Sequence, residues 1–127
     1  MEKAWPRCSS HSDKAIAIPL IDLWDQVAPE YDAWYAAPLG AFALEVEIAA
    51  LVALGGQLTG RRGLEVGCGT GQLGRAFAQG GVRMVGVDRS AAMLKEAARH
   101  AMETLTLCRA DGERLPFPRS SFDLVAA

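Results

Sequence analysis

Cysteine is too sparse here for a disulfide framework. Cys8, Cys68 and Cys108 form no CxxC pair and leave one thiol over, a usage that fits a reducing compartment better than a small stapled scaffold. Positive charge is scarce too. Thirteen Lys and Arg against fifteen Asp and Glu give a formal net charge of -2 over 127 residues, with no basic stripe. A nucleic-acid partner is therefore not expected. There are two histidines, and Cys8 with His11 in a polar stretch is a poor ligand pair, so no metal is predicted. No apolar run reaches the roughly 18 residues of a spanning helix. Cys8 to Lys14 is polar where the apolar core of a signal peptide should sit. Repeats and low-complexity tracts are missing. Together these absences predict a soluble cytoplasmic protein with no membrane partner.

What remains is ordinary globular material, 50% hydrophobic and 22% charged, enough for one core. Residues 1–19 mix Pro, Ser, His and charge without periodicity and read as a loose arm. Residues 20–56 read as a helical cap. Within it "IDLWDQVAPEYDAWYAA" is aromatic-rich and interrupted by Pro29, which predicts two short helical turns. "PLGAFALEVEIAALVALGG" then has Pro38 at its start and Gly55-Gly56 at its end, the asymmetry of a helix. From residue 57 the pattern changes. Short apolar runs at 63–67, 82–87, 104–109 and 122–127 alternate with helical stretches at about 71–79 and 90–102. Strands alternating with helices predict an α/β fold, a Rossmann-like parallel sheet of about four strands.

The stretch "GLEVGCGTGQLG" falls between the first strand and the first helix of that pattern. In a doubly wound sheet this turn faces the ligand crevice. Gly67, Gly69 and Gly71 there permit positive φ and a close approach of ligand to backbone, and the helix start that follows favours an anionic group. Two ligands compete. "GTGQLG" satisfies the G-x-G-x-x-G fingerprint of a dinucleotide site, whereas "GCGTG" with Glu65 upstream places a carboxylate in a central strand. Burying that acid costs several kcal/mol unless a cation or donor compensates it. A pyrophosphate would add repulsion; an ammonium and a sulfonium would supply the missing charge. Glu65 is equally suited to holding loop amides. About 20 residues beyond Gly67, near the spacing at which an acid meets ribose hydroxyls, the second strand ends in Asp88, followed by Ser90 as a helix cap.

"LEVGCGTG", "VGVDRSAAML" and "RADGERLPFPRSSFDLV" resemble, in order, the successive motifs of class I S-adenosylmethionine-dependent methyltransferases. The nearest flavour is the small-molecule branch, methyltransferase type 11, that includes quinone-biosynthesis enzymes. "WDQVAPEYDAWY" is similar to the aromatic cap of that branch, and residues 57–127 to the N-terminal part of its Rossmann-like domain. The resemblance implies S-adenosyl-L-methionine as cofactor and a small molecule as methyl acceptor. It implies that Glu65 and the turn Gly67, Cys68, Gly69, Thr70 and Gly71, with Gln72 beyond it, hold the methionine end. Asp88 would take the ribose hydroxyls and Arg89 would lie along the adenine. Asp111 would accept from the adenine amino group, and a backbone N–H at Gly112 or Glu113 would read a ring nitrogen. Tyr31 and Trp34 would either close over the cofactor or pack as core, and the side chain of Cys68 fits simple packing.

No catalytic residue emerges. The activated methyl asks mainly for alignment and exclusion of water, and His100, late in a helix, reads as surface. The last residues, "SFDLVAA", resemble the family's fourth strand, with the rest of its sheet lying beyond. The resemblance therefore implies cofactor binding more directly than turnover, with either a fragment or a natural short form as its source. A strand left open there is expected to promote self-association. Two other readings stay in view: a non-catalytic binding or interaction module, and a nicotinamide-dependent oxidoreductase fragment through "GTGQLG". The family's strand order puts strand four beside strand one. The connection from Asp111 to Phe122 extends to roughly 36 Å, and crossing two strands needs about 15 Å, so a helix-free crossover suffices.

Overall fold

Pro29 does not break the helix around it. In the computed structural model, which describes residues 20–127, α1 runs continuously over Leu20–Ala36 with Pro29 inside. This corrects the two short turns predicted from the sequence. A proline lacks the N–H that would bond four residues back and costs about 3 kcal/mol in a helix interior. Tertiary contact outweighs that local cost: Ala28 beside it is buried, and α1 packs along the helices that follow. The arm expected over residues 1–19, with Cys8 and His11, lies outside the described residues.

The second helix, α2, spans Pro38–Gly55 with proline at its first turn and Gly56 closing it, the Gly56 N–H donating to the Val52 carbonyl at 3.1 Å. One face packs against α1 and, through Leu51, against the core. Leu39, Phe42 and Val46 on another face are exposed. At 18 residues and a mean hydropathy of 1.7, α2 is long and apolar enough, by length and composition, to cross a membrane. The expectation that no apolar stretch has that length is thereby corrected. Counting uninterrupted residues stops at Glu45 and Glu47, whereas the hydropathy of the whole helix does not.

Beyond α2 the alternating pattern folds as β1 (Arg62–Val66), α3 (Gln72–Gln79), β2 (Arg83–Asp88), α4 (Ala91–Ala98), β3 (Leu105–Arg109) and β4 (Leu124–Ala126). The four strands form one parallel sheet in the order β3-β2-β1-β4. The central strands are buried over most of their length, Leu64 and Glu65 in β1 and Met84 to Val87 in β2, as expected where both faces of a parallel sheet are covered. Leu64, Val85, Val87, Cys108 and Ala110 form one buried cluster, and Phe77, Ala78, Val82, Met84 and Leu105 the other.

From β3 to β4 the chain crosses β2 and β1 without a helix, in a turn-rich path. Phe117 and Phe122 meet edge to face at 5.1 Å on the first cluster, so the crossover also covers that face. Its end is tied down by Asp123, whose carboxylate accepts the Arg62 N–H at 2.9 Å while its own N–H donates to the Arg62 carbonyl at 2.8 Å. The chain order reverses between β1 and β4, so the carboxyl ends of β1 and β2 open beside the switch point, where such sheets bind ligands.

Candidate functional site

The turn after β1 is built on left-handed glycines. Gly67, Gly69 and Gly71 take φ of 76°, 52° and 78°, values a side chain would resist. The N–H groups of Gly67 and Cys68 both donate to the Val87 carbonyl, at 2.8 and 2.9 Å, pinning the turn against β2. Space above Gly67 is open, with no atom within 4 Å of where a Cβ would stand. Gly71 faces inward instead, against Ala97 and Leu105. It shapes the turn and lies on neither cavity described below.

Asp88, at the end of β2, joins two loops. Its Oδ2 accepts the Gly69 N–H at 2.8 Å and its Oδ1 the Ser90 N–H at 2.9 Å. Ser90 Oγ in turn accepts the Met93 N–H at 3.0 Å and caps α4. Asp25 of α1 reaches the same point: its carboxylate accepts a short hydrogen bond from the Ser90 hydroxyl. The cap helix is thus fastened to the loop that carries Asp88, by a residue with no local sequence signature.

Around Asp88 lies a cavity of about 480 Å³, within the range of small-molecule sites. Tyr31, Gly67, Gly69, Asp88, Arg89, Asp111, Gly112 and Glu113 line it, together with Trp24. Asp111 Oδ1 accepts the Glu113 N–H at 3.0 Å, and Asp111 Oδ2 stands 3.8 Å from the Arg89 guanidinium. The acidic turn is therefore internally braced, with the Glu113 N–H already engaged. Trp24 was not anticipated. Tyr31 meets it edge to face at 6.2 Å and meets Tyr35 at 5.7 Å, so Trp24, Tyr31 and Tyr35 share one face of α1. Trp34 is half exposed, meets Tyr35 edge to face at 4.8 Å and lines neither cavity.

A second cavity, about 530 Å³, meets the first at Tyr31, Val66, Gly67 and Gly69. Glu65, Cys68, Thr70 and Gln72 line it, joined by Tyr35 and by Glu47 of α2. Glu65 is 8% exposed, and its Oε2 has no hydrogen-bond partner; Thr70, 1% exposed, has an unpartnered Oγ1. Burial raises the Glu65 carboxyl to about 8, opposed by the Gly74 N–H and reinforced by the charges of Glu47 and Asp88. Burial also pushes the Cys68 thiol up, with Glu65 and Asp88 adding to it, so Cys68 stays a protonated packing group rather than a nucleophile. The Tyr35 phenol is pushed up by burial and by its hydrogen bond with Tyr31.

Gly74 packs directly against Glu65. A Cβ there would stand 2.9 Å from Glu65 Oε2. The third glycine of "GTGQLG" makes room for the buried acid, the close helix–strand approach that this position serves in nucleotide-binding turns generally. Orphaned acceptors on one wall and an open glycine cradle fit a ligand that brings a cation.

A Rossmann-like parallel sheet with Glu65 in β1, Asp88 closing β2 and Asp111 just beyond β3 has the architecture of the doubly wound α/β proteins, whose ligand crevice lies at these strand ends. The family model described as "Methyltransferase domain" matches residues 64–127. The chain belongs to that family, the class I S-adenosylmethionine-dependent methyltransferases. It is 47% identical over 51 residues to a ubiquinone biosynthesis O-methyltransferase of Bordetella avium, covering 40% of this chain and 21% of that protein. It is similar to a solved S-adenosylmethionine-dependent methyltransferase of Mesorhizobium loti, with TM-score 0.56, 34% identity, and coverage of 61% and 36% of the two chains. A candidate S-adenosyl-L-methionine-dependent methyltransferase of Methanococcus maripaludis shares the fold at TM-score 0.70 and 19% identity, over 80% and 48% of the chains. Each match spans less than half the relative's own length.

Proposed function

We propose that this chain is the S-adenosyl-L-methionine-binding portion of a cytoplasmic methyltransferase whose acceptor is a small molecule. The observation that carries the reading is the pair of cavities joined at Gly67, with Asp88 and Asp111 along one and the buried Glu65 carboxylate, its Oε2 without a partner, along the other. The first suits a nucleoside and the second a cationic amino-acid tail.

Each residue then has a task. Asp88 keeps acceptor capacity beyond its two amide bonds and takes ribose hydroxyls. Asp111 accepts from the adenine amino group, and the Gly112 N–H serves a ring nitrogen, since the Glu113 N–H is spent inside the turn. Glu65 and Thr70 face the ammonium end, where Gly67, Cys68, Gly69 and Gln72 supply backbone and wall. Trp24 and Tyr31 exclude water above the cavity. When bound, the cofactor supplies an activated sulfonium methyl for in-line displacement. The chain's own contribution is orientation and dryness. The Bordetella relative's name supports a small-molecule acceptor.

A non-catalytic module that binds the same cofactor is the second reading, since the two joined cavities would serve it equally. Thermal shift tests the shared core of both. S-adenosylhomocysteine should raise the melting temperature and NAD should leave it unchanged. A response to NAD alone overturns the assignment.

A further inference from the structure

Glu65 is the one buried carboxylate on the wall of the second cavity among the described residues; its Oε2 has no hydrogen-bond partner, and the Gly74 N–H and the charge of Arg75 only partly offset its burial. Glu47 faces it from α2 and Asp88 from β2, both raising its proton affinity, while Arg75 of α3 lowers it. Arg75 is committed elsewhere, its Nη1 donating to the Thr70 carbonyl at 2.6 Å. From α1 come the phenols of Tyr31 and Tyr35, from the turn the thiol of Cys68, and from β4 the uncharged Ala126 opposite Glu65 in register. Burial and the neighbouring carboxylates thus favour the neutral acid when no cation is present. Thr70 Oγ1 adds a second orphaned oxygen on the same wall.

We propose that Glu65 couples ligand binding to proton release: it holds a proton in the free protein and surrenders it to solvent as an ammonium group of the cofactor seats against its carboxylate. The proposal rests on the cofactor reading above. The balance is simple. The Glu65 O–H bond breaks, the proton leaves to bulk water, and an ammonium–carboxylate pair replaces a neutral acid beside an amine cation. No electron moves. The competing arrangement keeps the proton on Glu65 and has it donate to the ligand's own carboxylate, in which case nothing is released.

Calorimetric titration of the full chain with S-adenosylhomocysteine separates the two. At pH 7, in phosphate, imidazole and Tris, the observed enthalpy should vary linearly with buffer ionisation enthalpy, with a slope near one released proton. The Kd should tighten by up to about tenfold per pH unit between pH 6 and 7 and level off near pH 8. Glu65→Gln, close in shape and unable to ionise, should bind more weakly with neither dependence. A buffer-independent heat in the unmodified chain overturns the proposal, as does a proton slope that survives in Glu65→Gln. The buffer series stands by itself should the variant not fold. Binding heat absent in every buffer overturns the cofactor reading instead, and the proposal with it.

Discussion

Asp88 Oδ2 lies 2.8 Å from the Gly69 amide nitrogen. With its other oxygen on the Ser90 N–H, one carboxylate fixes the distance between the glycine turn and the start of α4. The ends of β1 and β2 thus form a rigid frame whose spacing a ligand does not have to create. Preorganisation of this kind spares binding the cost of ordering the loops.

Asp88→Ala removes both amide clamps and the ribose acceptors together. Loss of charge-assisted hydrogen bonds should weaken S-adenosylhomocysteine binding by about 2–3 kcal/mol, roughly a hundredfold in Kd, and the melting temperature should fall as well. Calorimetry and a thermal melt read the two effects separately. A lowered melt with unchanged affinity would confine Asp88 to holding the loops.

The Glu65 carboxyl sets a pH trend in the stability of the free protein. Its folded value is raised from 4.5 to about 8, so between those values the folded state keeps a proton that the unfolded chain has lost. The associated stability is complete below pH 4.5 and declines as pH rises towards 8. The span corresponds to at most on the order of 5 kcal/mol. Urea denaturation from pH 5 to pH 8 should show the decline in the unmodified chain and a flatter profile in Glu65→Gln. Parallel profiles would mean that Glu65 is ionised throughout.

Pro29 sits on the exposed side of a continuous helix. Pro29→Ala restores an N–H for the Asp25 carbonyl and removes a ring clash, and should raise stability by about 1–3 kcal/mol. A destabilised variant would show that the helix is bent at Pro29 for a packing reason.

That proline also explains where the sequence misled. Breaking the helix at Pro29 discards its phase, and with it the alignment of Trp24 with Tyr31 two turns later. Trp34, three residues from Tyr31, then looks like the natural partner, whereas the structure turns it away. A continuous helix would have revealed Trp24, Tyr31 and Tyr35 on one face. By contrast, the strands and the glycine turn were legible, because a parallel sheet demands apolar runs and its ligand turn demands glycine; the strand order followed from the family resemblance alone. Asp25 was not legible at all. Its contact with Ser90 spans 65 positions, and no local pattern encodes it. Nor does any periodicity show that Gly74 clears space for Glu65; only the packed distance does.

Asp25 should matter to the cap more than to the sheet. Asp25→Ala strips the Ser90 hydroxyl of its acceptor and loosens α1 from α4. The expected cost is about 1–2 kcal/mol, in the range for a hydrogen bond to a charged group or a lost helix cap. Hydrogen exchange should quicken across residues 23–36 while β1 and β2 keep their protection. Uniform quickening across the sheet would mean that the cap and the sheet open as one unit.

The last expectation concerns β4. Among the described residues it pairs with β1 alone, and no strand pairs with its other edge. Val125 is 58% exposed there, and the segment from Phe122 to Ala127 carries Asp123 as its one charged side chain, with no lysine or proline. Charge and proline are the usual guards of an edge strand, and an unguarded apolar edge recruits another strand. Leu39, Phe42 and Val46 on α2 add exposed apolar surface, which soluble monomers seldom carry in quantity. The 127-residue chain is therefore expected to self-associate at micromolar concentration, with light scattering reporting a mass above that of the monomer. Val125→Lys should shift it towards monomer by placing a charge on the edge, at little cost to the partly exposed strand. A monomer in the unmodified chain, with strong exchange protection over residues 124–126, would mean that another part of the molecule already covers β4.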